Sequence, residues 1–121
     1  MDGGAIGGGA EFSLAGDLRL ATTSTYLDFR QLRVGLPTGF GGASRLVTLI
    51  GKAHATNILF NTQLLQAEKA YHLGLFTNIY KNRESMMEAR DQLIDKISGF
   101  SPCAVATQKK FIQEFLCSDR I

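Results

Sequence analysis

Chemistry in this chain has to be sought first at Glu11, because of what surrounds it. Gly3-Gly4-Ala5-Ile6-Gly7-Gly8-Gly9-Ala10 leads directly into it. Consecutive glycines let a backbone approach a ligand closely. The free N–H groups of a first helical turn can then point at an anion, and the helix dipole adds roughly half a positive charge there. Such a device can stabilise an oxyanion, and Glu11 lies near enough in sequence to act as a general acid or base on whatever is held. Two readings stay open on the residues alone. Gly8 and Glu11 form an anion-handling site, or the glycines serve tight packing and Glu11 is a dipole-favoured residue in a first turn.

Other chemistry has weaker support. No G-x-G-x-x-G register fits, since counting from Gly7 and Gly9 places Phe12 at the third glycine. Gly51-Lys52 superficially matches the end of a P-loop, but Leu46 stands where its first glycine belongs and Ala53 replaces the magnesium-binding hydroxyl. His54 and His72 have no Cys or acidic cluster at ligand spacing, so no metal is expected. Ser13 lacks a nucleophile elbow. Met86 and Met87 read as packing residues, and Lys109-Lys110 as a solvated face. Cys103 and Cys117 on one helix would lie about 21 Å apart, too far for a disulfide. They are expected to be free, buried or partly buried thiols in a reducing cytosol.

The elements that must position these residues can be read from periodicity. Ile6, Ala10 and Leu14 fall at i, i+4, i+8, a helical face ended by Gly16-Asp17. Leu18 to Ala21 and Tyr26 to Phe29 read as short strands around a Thr22 to Thr25 turn. Leu32 to Leu36 is apolar apart from Arg33, and Pro37 to Gly42 is a loop. Helices are expected from Gly42 or Ala43 to Gly51, from Lys52 to about Phe60, and from Gln66 to Leu73 with Gly74 as its C′ glycine. Leu75 to Tyr80 is β-like. From Glu84 the period is helical, and Ser101-Pro102 fits an N-cap with proline at N1. The front is mixed α/β and the tail is two amphipathic helices.

The 121 residues suit one domain by number. With 45% hydrophobic and 20% charged residues the chain is of ordinary globular composition. A net charge of +2 gives no reason to expect nucleic acid as a partner. No run is long enough to span a bilayer, and the first residues lack the basic and apolar regions of a secretory signal. A cytoplasmic location is expected. Glycine is in excess: of 13, six lie within the first 16 residues and four between Gly35 and Gly42.

Several motifs in register carry a resemblance. The stretch Gly3 to Phe12 followed by Asp17 resembles the central motif of the enoyl-CoA hydratase/isomerase (crotonase) superfamily. Val34-Gly35-Leu36-Pro37, Gly41-Gly42, Arg45-Leu46 and Ile50-Gly51-Lys52-Ala53 follow in the family's order, as do Ala67, Ala70 and Gly74-Leu75. The match runs from Gly3 to Tyr80, and more loosely through Ser101-Pro102.

The resemblance implies an α/β fold: a partial crotonase-type spiral core of β-β-α units over residues 1–80, then a helical trimerisation tail over 81–121. It implies an acyl-CoA enzyme that stabilises a thioester enolate between two backbone N–H groups, with the coenzyme A thioester as substrate and no other cofactor. Gly8 takes the place of the oxyanion glycine, Glu11 that of the catalytic acid, and Gly7 and Gly9 flank the substrate. A homo-oligomer, trimer or hexamer, is the family's assembly.

Two departures bear on the reaction. The second catalytic carboxylate of hydratases falls on Gln31, preceded by Arg30. A glutamine orients water but exchanges no proton at neutral pH. The acidic place of some isomerases falls near Gly39. A first carboxylate with a non-acidic second place resembles acyl-CoA decarboxylases of malonyl-type substrates. Two readings of Arg30 stay open: it faces a substrate carboxylate, or it is a solvated or trimer-interface residue. Members of the family are also much longer chains, their additional part carrying the other oxyanion donor. On that basis these residues alone are expected to be a poor enzyme, and a non-catalytic remnant acting as an assembly partner is the alternative.

Overall fold

A computed structural model of the chain describes residues 1–118. The described residues form five short strands and six helices, in the order β1 (Gly4–Ile6), α1 (Gly8–Ser13), β2 (Leu20–Thr22), β3 (Tyr26–Asp28), a 3₁₀ turn (Gln31–Val34), α2 (Gly42–Ile50), α3 (Lys52–Asn61), β4 (Leu64–Gln66), α4 (Ala67–Leu73), β5 (Asn78–Tyr80), α5 (Arg83–Ser98) and α6 (Pro102–Ser118). The chain forms two compact units, Met1–Met86 and the segment from Met87 onward, divided within α5.

Strand β3 is the centre of a three-stranded sheet ordered β1-β3-β4, and β2 pairs with β5 in a second sheet. The β1–β3 pair is parallel with Ala5 opposite Leu27, and the β3–β4 pair is antiparallel with Leu27 opposite Leu65. Leu27 and Leu65 are buried, as the period of two requires for one face of the sheet. Each such side chain removed from water contributes about 1.5–3 kcal/mol. Ala10 from α1 and Leu14 just after it, Leu46 from α2, Ala55 and Ile58 from α3, and Ala67 and Ala70 from α4 join the same core, with Ala21, Phe29, Leu75 and Phe76.

Local chemistry explains the turns. Gly74 closes α4 in the left-handed conformation, φ 98°, where a Cβ would be strained. Pro102 starts α6, with the Ser101 hydroxyl accepting the Ala104 N–H at 3.4 Å.

Several expectations need correction. Ile6 lies in β1 and is exposed. It does not share a helical face with Ala10 and Leu14, because Gly7 (φ 56°) breaks the chain between strand and helix. The second strand begins at Leu20, and Leu18 is exposed. Strand β5 covers only Asn78–Tyr80, although Leu75 and Phe76 before it are buried. Strand β4 was not read from the sequence. Cys103 and Cys117 are both exposed on α6, not buried. Among the described residues no helix is long and apolar enough to cross a membrane.

Candidate active site

The parallel strands β1 and β3 end side by side, and the chain leaves each at the same place. Such carboxyl ends are where α/β sheets characteristically offer room for a ligand. After β1 the Gly7 N–H donates to the Asp28 carbonyl at 2.7 Å, and Gly8 then opens α1. The first N–H groups of a helix have no partner within it, and that of Gly8 is the first in α1. After β3 the chain passes through Phe29 and Arg30 into the 3₁₀ turn that starts with Gln31.

Glu11, one turn into α1, is 1% exposed. Its carboxylate accepts three hydrogen bonds. Oε1 takes the backbone N–H of Phe40 at 2.9 Å and of Gly42 at 3.0 Å, and Oε2 takes the Nε2–H of Gln31 at 2.9 Å. The Gly42 donor is the first residue of α2, so the carboxylate also sits at the positive end of that helix dipole. A Cβ on Gly42 would lie 2.4 Å from Glu11 Cγ and 2.8 Å from Oε1. Glycine at position 42 is therefore what lets a buried carboxylate approach the helix end.

Gln31 is buried, and its Oε1 has no partner among the described residues. A carboxylate only accepts, so the amide must turn its N–H toward Glu11. That leaves an acceptor, and no second acid, on the other side.

Arg30 is not free at the site. Its Nε and Nη2 both donate to Asp28 Oδ2, at 3.1 Å and 2.5 Å. Asp28 is buried on the central strand. Its hydrogen bonds and charge raise the pKa of the Arg30 guanidinium above its ordinary value. Asp28 Oδ1 has no hydrogen-bond partner among the described residues.

Of the residues read from the sequence, Gly7, Gly8, Glu11 and Gln31 converge, and Arg30 joins them through Asp28. Gly9 is exposed with nothing within 4 Å of a Cβ position. The sequence reading missed Asp28, Phe40 and Gly42 as parts of the site. The Gly41-Gly42 pair was the available signal for the second helix start, and no local pattern marks Asp28 as buried. Among the described residues no group of three His, Cys, Asp or Glu side chains is placed to hold a metal.

The family model for enoyl-CoA hydratase/isomerase matches residues 1–119. The chain belongs to the enoyl-CoA hydratase/isomerase family. Against ethylmalonyl-CoA decarboxylase of Xenopus laevis this family member is 37% identical over 114 residues, covering 93% of the chain and 38% of the relative. Against short-chain-enoyl-CoA hydratase of Clostridium acetobutylicum it is 30% identical over 119 residues, covering 98% of the chain and 45% of the relative. A crystal structure of enoyl-CoA hydratase from Bacillus anthracis superposes with a TM-score of 0.87 at 32% identity, covering 92% of the chain and 43% of that protein. The chain thus spans less than half the length of these relatives.

Proposed function

We propose that the site handles an acyl-CoA thioester by stabilising its enolate. The observation that carries this reading is the meeting of a helix-opening Gly8 with the buried Glu11–Gln31 pair at the ends of two parallel strands. The thioester oxygen accepts the Gly8 N–H, with Gly7 and Gly9 giving the backbone access. Negative charge grows on that oxygen as the enolate forms, so the bond strengthens during the reaction. One such donor supplies about 2.7–4 kcal/mol of transition-state stabilisation. Glu11 is the carboxylate that orients or exchanges a proton near the α-carbon. The chemistry needs no group beyond the coenzyme A thioester.

Gln31 favours one version of this chemistry. Hydration by two carboxylates lacks its second acid. In a malonyl-type thioester the bond between the α-carbon and the free carboxylate breaks, the electron pair enters the enolate and carbon dioxide leaves. The α-carbon then takes a proton delivered by water. An oxyanion hole and a single carboxylate suffice for those steps, and of these Gly8 supplies one donor and Glu11 the carboxylate. The similarity to ethylmalonyl-CoA decarboxylase supports this version, and Arg30 would contact the departing carboxylate only by sharing its guanidinium with Asp28.

The test is incubation of the chain with ethylmalonyl-CoA and, separately, crotonyl-CoA, with product read by mass spectrometry. Slow butyryl-CoA formation is expected, because one oxyanion donor of the family's two is at hand and its partner is worth about 10²–10³ in rate; it should be lost in Glu11→Ala, with still less hydration of crotonyl-CoA. Equal turnover by Glu11→Ala would refute the role of the carboxylate. Brisk hydration that survives Gln31→Ala would refute the decarboxylase version.

Assembly with further copies of the chain is the companion proposal. Ile94, Phe111 and Ile112 on α5 and α6 are 55%, 59% and 55% exposed, an apolar load that self-association would cover. Light scattering should report a trimer or larger; a stable monomer would contradict it.

A further inference from the structure

Phe40 is an exposed aromatic whose backbone is held on both sides. Its N–H donates to Glu11 Oε1 at 2.9 Å, and its carbonyl accepts Arg45 Nη1 at 2.6 Å. The ring is 65% exposed. It nevertheless lies against Gly8: a Cβ on that glycine would meet ring atoms Cε2 and Cδ2 at 2.8 and 3.0 Å. The loop therefore spends a buried carboxylate and an arginine on presenting one apolar ring beside the backbone of the oxyanion residue.

We infer that Phe40 is a specificity-determining residue, its ring forming the wall against which the acyl carbons next to the thioester carbonyl pack. This rests on the reading of Gly8 as the oxyanion donor. A carbonyl oxygen hydrogen-bonded to that N–H lies about 2.9 Å from the nitrogen, and the acyl α-carbon is two bonds from that oxygen. The ring touches Gly8 one bond from the same nitrogen, so ring and acyl chain are neighbours. The substrate class that fits is a thioester with an apolar acyl group of a few carbons. Pinning the ring in advance reduces the ordering cost of binding.

The chain contains no tryptophan, so Phe40→Trp gives a single reporter. Emission from the introduced indole is expected to shift to the blue on titration with butyryl-CoA and to stay unchanged with free coenzyme A, while calorimetry reports binding independently. Affinity in the unmodified chain should rise about fourfold per added methylene from acetyl- to butyryl-CoA, the equivalent of ~0.8 kcal/mol. Phe40→Ala, which keeps the backbone N–H to Glu11, should flatten that series. Calorimetric binding with no change at the indole, an equal change with free coenzyme A, or an undiminished chain-length series in Phe40→Ala would overturn this inference while leaving the enolate reading standing. No calorimetric binding of any acyl-CoA would overturn both.

Discussion

Gly42→Ala should damage the protein through Glu11, and the size of the effect can be worked from the contacts. The new methyl would sit 2.4 Å from Glu11 Cγ and 3.0 Å from Cδ, well inside van der Waals distance. Glu11 is 1% exposed and has no open space to swing into. Forcing extra volume into a packed site costs about 1–3 kcal/mol. Moving the carboxylate also weakens at least one of its hydrogen bonds to the Phe40 and Gly42 N–H groups, about 1.5–3 kcal/mol for a charged partner. Alanine returns at most ~1 kcal/mol through helix propensity. The net loss should be about 2–5 kcal/mol, read as a fall in the urea midpoint at constant slope. In a Glu11→Ala background the clash is gone, and Gly42→Ala should be neutral or stabilising by up to ~1 kcal/mol. An unchanged midpoint in the single variant, or the same loss in both backgrounds, would refute the coupling of Gly42 to Glu11.

Other consequences follow from the same site and its surroundings. Gln31→Glu would place two carboxylates about 3 Å apart, so one must hold a proton; the variant should lose stability as pH rises above roughly 4.3 toward its raised folded pKa, and a melting-temperature profile parallel to that of the unmodified chain would contradict this. Arg30→Ala should destabilise more than Asp28→Asn, because it strands a buried carboxylate without its cation; the reverse order in chemical denaturation would contradict the pairing. The Thr22 and Ser24 hydroxyls hold the Asp2 carboxyl below its ordinary 3.8. Its contribution is therefore present above pH 3.8 and is lost as pH falls through the depressed folded value. Asp2→Asn should flatten the acid limb of the stability curve in that window, and an unaltered limb would count against those hydrogen bonds.

What could be read from the sequence was whatever left a local mark. The α4–Gly74 end, the Ser101-Pro102 start of α6 and the break at Gly51 between α2 and α3 all have chemical punctuation, and all appear where expected. Glu11 and Gln31, 20 positions apart, are brought into hydrogen-bond contact, a pairing the family motif implied and no local pattern could supply. Strand β4 left no mark, because Leu64–Gln66 is three residues with one buried position. Ile6 was misplaced because i, i+4, i+8 spacing says nothing about a glycine with positive φ lying between. Arg30 looked available for a substrate because its partner is a buried residue on the central strand, and burial of Asp28 is decided by strands that meet across the chain. Phe40 and Gly42 reach Glu11 through backbone N–H groups, which no side-chain motif reports.

The proposed enolate chemistry stands or falls with Gly8 as donor to a thioester oxygen beside Glu11. Infrared difference spectroscopy of butyryl-CoA labelled with ¹³C at the thioester carbonyl tests it most directly, since a donor aimed at that oxygen weakens the C=O bond. The labelled stretch should move to lower frequency when the thioester binds the chain. Binding with the stretch left at its value in water would contradict it.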